Sequence, residues 1–255
     1  MGQHRGHPTK DIEKHINRNT WGMLLPQLFG SVIDFDYFQE IAWRRRIHLV
    51  LDSAHALGCT YYGYVPPANQ VFSLHATKFI QGFEGGLVST IGGSSKIREM
   101  RNFGYEDSKE WVKQVVSPGT NAKMSEVHAA MAYSNLKHID EMITHNQNVW
   151  LWYKKYLPHF MILGCPQPVF GKSNFSYITC KVSSYYSRDA IFERLQKKGI
   201  TARVYFKPIH LFQKYNMKRL VFPHAEELYE RIINLPTGLA IDENVVKEIC
   251  NAMVH

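Results

Sequence analysis

Four side chains able to do chemistry stand close together in the first third of the sequence: Asp52, His55, Ser73 and Lys78. Asp52 closes the apolar run "IHLVLD" and His55 follows three residues later. Ser73 closes a second apolar run, "NQVFS", and Lys78 lies five residues beyond it in "VFSLHATKFIQGFEGG". Singly, each has an ordinary structural explanation: Asp52 as a cap, His55 as a half-buried histidine, Ser73 as a turn former, Lys78 as a surface charge. Together, an acid at one strand end and an amine past the next suit pyridoxal phosphate (PLP). Its ring nitrogen needs an anion and its aldehyde needs an amine. At about 3 Å and an effective dielectric near 20, a carboxylate and a pyridinium attract by roughly 5 kcal/mol before desolvation, worth about four pKa units. His55 is placed to approach the phenolic oxygen of that ring and Ser73 to donate to its phosphate. Once freed by an incoming amine, Lys78 would act as general base and acid.

The elements that must position these groups follow from periodicity. A short helix carrying Ile12 and Ile16 follows Thr9, its expected cap, and leads into the strand-like "WGMLLPQLFG" and a helix from Asp34 to Arg45. The strands "IHLVLDSA", "NQVFSL" and "GGLVSTI" come next. Strands apolar on both faces, alternating with helices, predict a mainly parallel α/β sheet covered on two sides, with ligands beyond the carboxyl ends of its strands. "GGSSK" (Gly92–Lys96) reads as a strand-to-helix turn, and Glu84-Gly85-Gly86 as a close backbone approach before a strand.

From "NAKMSEVHAAMAYSNLKHIDEM" the pattern turns to long helices, continuing through "HNQNVWLWYKKYL". A smaller α+β unit then reads as strand Phe175 to Val182, helix Asp189 to Lys198 closed by Gly199, and strand Ile200 to Tyr205. A last helix follows, capped by Asp242 and apolar at Val246, Ile249, Cys250 and Met253. The expected division is 1–145 and 146–255.

Composition narrows the class. The 255 residues, 45% hydrophobic, suffice for one large or two modest cores. The formal charge is +8, but the basic residues are scattered. The one dense run, Arg44-Arg45-Arg46, falls at a helix C-terminus where cations oppose the macrodipole, so nucleic acid is not the expected partner. Cys59, Cys165, Cys180 and Cys250 show no metal-ligand spacing, which predicts no structural metal and a reduced, cytoplasmic protein. The first residues lack a signal-peptide apolar core, and no apolar run approaches a membrane span.

The stretches "LPQLFGSVIDF", "VLDSAHALG", "VFSLHATKFIQGFEGGLVST", "MRNFGY", "GTNAKMSEVHAAM" and "RVYFKPIH", in that order and spacing, make the chain resemble the DegT/StrS family of nucleotide-sugar aminotransferases along essentially its whole length. The resemblance implies an aspartate-aminotransferase-like PLP fold of type I. It makes Lys78 the Schiff-base lysine, Asp52 the partner of the pyridinium, His55 a ring contact and Ser73 a phosphate donor. It makes Asn121 a phosphate contact reaching across a homodimer with shared active sites. The implied substrates are glutamate and a keto nucleotide-sugar, a 4-keto-6-deoxyhexose, in deoxyamino-sugar biosynthesis. Lys78 favours transamination over the family's dehydratase branch, which carries histidine there. Phe79 departs from the Asn common after the lysine. The large domain is expected to be N-terminally incomplete, lacking the Gly-Thr turn that holds the phosphate and the aromatic ring that stacks on PLP. A non-catalytic remnant or partner subunit is therefore the rival reading.

Overall fold

A computed structural model describes residues 8–106, 111–164, 170–215 and 221–254; Cys165 lies outside these residues. The first unit is built on strands β1 (Gly22–Pro26), β2 (His48–Asp52), β4 (Asn69–Ser73) and β5 (Gly86–Ser89), in the order β1-β2-β4-β5. The first three run parallel, and β5 joins the edge antiparallel. Helix α1 (Phe35–Arg45) begins where Asp34 accepts the Tyr37 N–H at 3.3 Å, and ends with Arg46 in the left-handed region. It buries Phe35, Phe38, Ile41 and Ala42 in the same core cluster as Met23, Leu49 and Leu51. The arginine run therefore caps a helix, and Arg44 and Arg45 both bind Glu13, at 3.0 and 3.2 Å. Glu13 belongs to a 3-10 helix, Pro8–His15, that stands where the first short helix was expected; Thr9 lies within it.

One expectation fails. Only one face of the sheet is covered by described residues. On the other, Leu24 is 68%, Val71 45% and Val88 53% exposed, and all four residues of β5 are exposed. These strands are apolar on both faces, yet α1 supplies a partner to one face alone.

Strand β3 (Thr60–Tyr61) pairs antiparallel with β7 (Gly171–Lys172), a contact spanning more than a hundred residues. Between them come α2 (Ser94–Arg101), which buries nothing, α3 (Glu126–Leu136) and α4 (Ile139–Tyr156). Helix α4 crosses residue 145. Ile139 and Met142 pack on the cluster of Leu74, Ile80 and Ala132, while Val149 and Tyr153 sit in the C-terminal core.

That core surrounds an antiparallel sheet of β6 (Met161–Leu163), β8 (Ile178–Val182) and β9 (Ile232–Leu235), in the order β6-β8-β9. Helices α5 (Arg188–Lys197) and α7 (Glu243–Val254) pack with α4 around it, and α6 (Pro223–Arg231) precedes β9. Two further expectations change here. Residues 200–205 form no strand, only a bridge from Arg203 to Asn234, because the fully buried Ile232–Leu235 run takes the place beside β8. The strand expected from Phe175 begins at Ile178, since Ser173 and Asn174 side chains bind the Phe175 and Ser176 N–H groups and replace a ladder.

Candidate active site

Residues that share a face of a strand recur every second position, so Asn69, Val71 and Ser73 share one face of β4. Register pairs Asp52 with Val71, which puts the Asp52 side chain on that face of the sheet too. Asp52 and Ser73 are the last residues of adjacent parallel strands, and the turns that follow deliver His55 and Lys78. His55, Ser73 and Lys78 line one small pocket with Phe79, Asn174 and Tyr177. Asp52 adjoins it: its carboxylate accepts the Ala54 N–H at 3.1 Å and its charge is felt at both His55 and Lys78.

The strand ends are pinned by a buried polar network. Ser53 Oγ donates to Gln27 Oε1 at 2.6 Å and lies 3.1 Å from Gln70 Oε1, while Gln70 Nε2 donates to Pro66 O at 2.9 Å. The carboxyl ends of β1 and β2 are thereby tied to each other and to the start of β4 before any ligand binds.

Lys78 sits in a tight turn, its N–H bonded to His75 O at 2.9 Å. The turn returns through Gly85, whose φ of +131° is closed to most side chains and whose missing Cβ leaves room for Met124. The Lys78 amine is half-buried; burial lowers its pKa from the ordinary 10.5 and the Asp52 charge partly restores it. No carboxylate among the described residues lies within the 4.0 Å of an ion pair. Asp52 and Lys78 act on each other across a wider gap.

His55 is held in one tautomer. Its Nδ1 accepts the Phe29 N–H at 3.2 Å, so Nε2 carries the proton. Burial, then the nearby Lys78 charge, lowers its pKa to about 4, so the ring is neutral at pH 7. Tyr177 lies against it with centroids 4.6 Å apart, and Phe206 stacks at 5.6 Å. Burial likewise raises the Tyr177 phenol to about 12.

Ser73 Oγ accepts the His75 N–H at 3.3 Å. Asn121 is not brought to this pocket within the chain: it forms a bridge with Asn102 and its side chain is exposed. Sequence reasoning missed Asn174 and Tyr177, which enter from a segment about a hundred residues downstream. It also missed Gln27, Ser53 and Gln70, whose importance is a matter of burial. Among the described residues no group of three His, Cys, Asp or Glu side chains could hold a metal.

A neutral-capable amine, a carboxylate, a ring N–H donor and a hydroxyl at adjacent parallel strand ends are the groups a pyridoxal phosphate site requires. The model of the DegT/DnrJ/EryC1/StrS aminotransferase family matches residues 7–254. The chain belongs to this family. It is 30% identical over 257 residues to the dTDP-4-amino-4,6-dideoxy-D-glucose transaminase of Shigella dysenteriae, covering 95% of this chain and 68% of that protein. It is 27% identical to the UDP-4-amino-4,6-dideoxy-N-acetyl-beta-L-altrosamine transaminase of Helicobacter pylori, with 95% and 68% covered. Among solved structures, PseC of Helicobacter pylori superposes with a TM-score of 0.88 at 25% identity, covering 95% of this chain and 68% of that one. DesI with its TDP-sugar product gives 0.85 at 29%, covering 96% and 64%. The fold is that of the PLP fold-type-I sugar aminotransferases, and the chain spans about two thirds of the length of these relatives.

Proposed function

We propose that this chain is a PLP-dependent transaminase moving an amino group from glutamate to a keto nucleotide-sugar, a 4-keto-6-deoxyhexose, in deoxyamino-sugar and polysaccharide biosynthesis. The observation that carries the reading is the half-buried Lys78 amine, without an ion pair among the described residues, beside Asp52, His55 and Ser73 at the carboxyl edge of parallel strands. The dTDP- and UDP-linked amino-dideoxy sugars in the relatives' names support the substrate class.

Lys78 would hold the cofactor through its amine, Asp52 would face its ring nitrogen, His55 its ring and Ser73 its phosphate. Bound PLP supplies an electron sink for the carbon that loses or gains the amino group. The chain's own groups do the rest. Burial keeps a larger fraction of Lys78 Nζ unprotonated near neutral pH, so it can take and return a proton. The Asp52 carboxylate stabilises positive charge facing it. His55 Nε2–H is a fixed donor, its tautomer set by Phe29.

The finer reading is a cytoplasmic homodimer in which Asn121, exposed on its own chain, completes the neighbouring subunit's site. Mixing a Lys78→Ala chain with an Asn121→Ala chain should then regenerate one site with both native residues. The division into units 1–145 and 146–255, with α4 crossing between them, belongs to this reading. Among the described residues no helix is long and apolar enough to cross a membrane.

The open sheet face at Leu24, Val71 and Val88 favours a second reading, a non-catalytic partner subunit. A sugar dehydratase is disfavoured by Lys78 itself. The deciding experiment is the visible spectrum of the purified chain with PLP, before and after glutamate, alone and with a polypeptide supplying the relatives' remaining third. A glutamate-sensitive band in either mixture supports the transaminase; no band in both leaves the partner subunit.

A further inference from the structure

We propose that Asn174 is a positioning residue for the Lys78 pocket: it fixes the backbone beneath His55, and with it the orientation of the imidazole. Asn174 is fully buried, and its Nδ2 donates to His55 O at 3.0 Å and Leu57 O at 2.9 Å. Its Oδ1 accepts from Ser176 N at 3.1 Å and Ser176 Oγ at 2.8 Å. Both amide protons and both lone pairs are used. The orientation of the amide is chemically forced, because the two carbonyls can only accept and the Ser176 N–H can only donate.

The side chain also packs against the loop that contacts the ring. Gly30 stands at φ +73°, and a Cβ there would meet Asn174 Oδ1 at 2.5 Å. The residue before it, Phe29, donates its N–H to His55 Nδ1 at 3.2 Å. One buried amide thus braces the carbonyl of His55 and packs against the loop that sets its tautomer. Three residues on, Tyr177 lies against the imidazole face, 4.6 Å between centroids. Asn174 precedes β8, so it couples the C-terminal core to the pocket. The importance of the pocket rests on the proposed function; the positioning of the ring can be tested without cofactor.

The test compares Asn174→Asp, Asn174→Ser and Ser176→Ala with the wild-type chain. Asn174→Asp keeps the shape and the acceptor but turns an acceptor toward two carbonyls. Asn174→Ser reaches one carbonyl at most. Ser176→Ala leaves both donors in place. The first readout is the His55 imidazole resonances in protein without PLP, assigned with His55→Gln; the second is PLP affinity from the visible band. Either Asn174 variant should shift the His55 resonances and weaken PLP by about tenfold, while Ser176→Ala leaves the His55 resonances close to wild type. A folded Asn174→Asp or Asn174→Ser with native His55 resonances overturns the proposal, as does a Ser176→Ala shift of equal size. If wild-type protein shows no PLP band either alone or with the polypeptide supplying the relatives' remaining third, the transaminase reading fails, and the resonances still decide the role of Asn174.

Discussion

The sheet of the first unit and the sheet of the C-terminal core treat the same kind of residue in opposite ways. In β9 every residue is buried, and β8 alternates buried with half-buried positions beneath α4, α5 and α7. In β5 every residue is exposed, and one face of β1, β4 and β5 carries uncovered Leu24, Val71 and Val88. The polar groups differ in the same sense. In the C-terminal core Arg188 is neutralised by Asp189, and its guanidinium also donates to Tyr229 O at 2.8 Å and Ile232 O at 3.0 Å. Among the described residues the amine of Lys78, in the turn after β4, has no such partner. Stability and reactivity are divided between the two units: the C-terminal core pairs its buried guanidinium at Arg188, while the first unit leaves an amine without an ion pair among the described residues at its pocket.

The sharpest way to break that division is Lys78→Ala. Borohydride reduction in the presence of PLP followed by peptide mapping should label Lys78 in the wild type and nothing in the variant. The thermal midpoint should move by no more than about 2 °C. A label on Lys96 or Lys123 would remove the assignment. Asp52→Asn should come next. It removes the charge facing the cofactor nitrogen, so single-turnover rates with glutamate should fall by orders of magnitude, at about tenfold per 1.4 kcal/mol. It should also lower the Lys78 pKa further, since Asp52 raises it. The pH profile of PLP capture, centred below 10.5 in the wild type, should move to lower pH in the variant.

A stability pair tests the other side of the comparison. Leu195→Ala in the buried core should cost about 2–5 kcal/mol by urea titration. Val88→Ala in exposed β5 should stay within about 0.5 kcal/mol. A Val88→Ala loss approaching that of Leu195→Ala would mean that a partner covers the open face in solution.

A pH-dependent effect concerns His55. Its folded pKa of about 4 lies below the ordinary 6.5, so the unfolded chain binds more protons between these values. The stability this histidine contributes is present above pH 6.5 and is lost as pH falls toward 4. The thermal midpoint should drop over that window, and His55→Gln should flatten the drop.

Much of the first unit was legible in sequence because its signals are local. The Asp34 cap, the 3.6-residue spacing of Phe35, Phe38, Ile41 and Ala42, and the closing arginines define α1 without reference to anything distant. Asp52 and Ser73 were found because a polar residue ending an apolar run is a visible event. The failures are all non-local. Ile200–Tyr205 has a strand's composition but loses its place beside β8 to Ile232–Leu235, and pairing choice cannot be read from either segment alone. The open sheet face is invisible to periodicity, which reports that a strand is apolar on both sides and not whether both sides are covered. Asn174 reads as an ordinary polar residue in "GKSNFS"; its four hydrogen bonds follow from burial beside a turn 119 residues upstream.

That separation sets an order of events during synthesis. Strands β1, β2 and β4 leave the ribosome well before Asn174, and at about 5–20 residues per second the interval for 119 residues is roughly 6–24 s. Throughout it the His55 and Leu57 carbonyls must be satisfied by water, and the imidazole is unbraced. The nascent chain can therefore lay down its sheet early, whereas its pocket matures only when a distant stretch arrives to dry it.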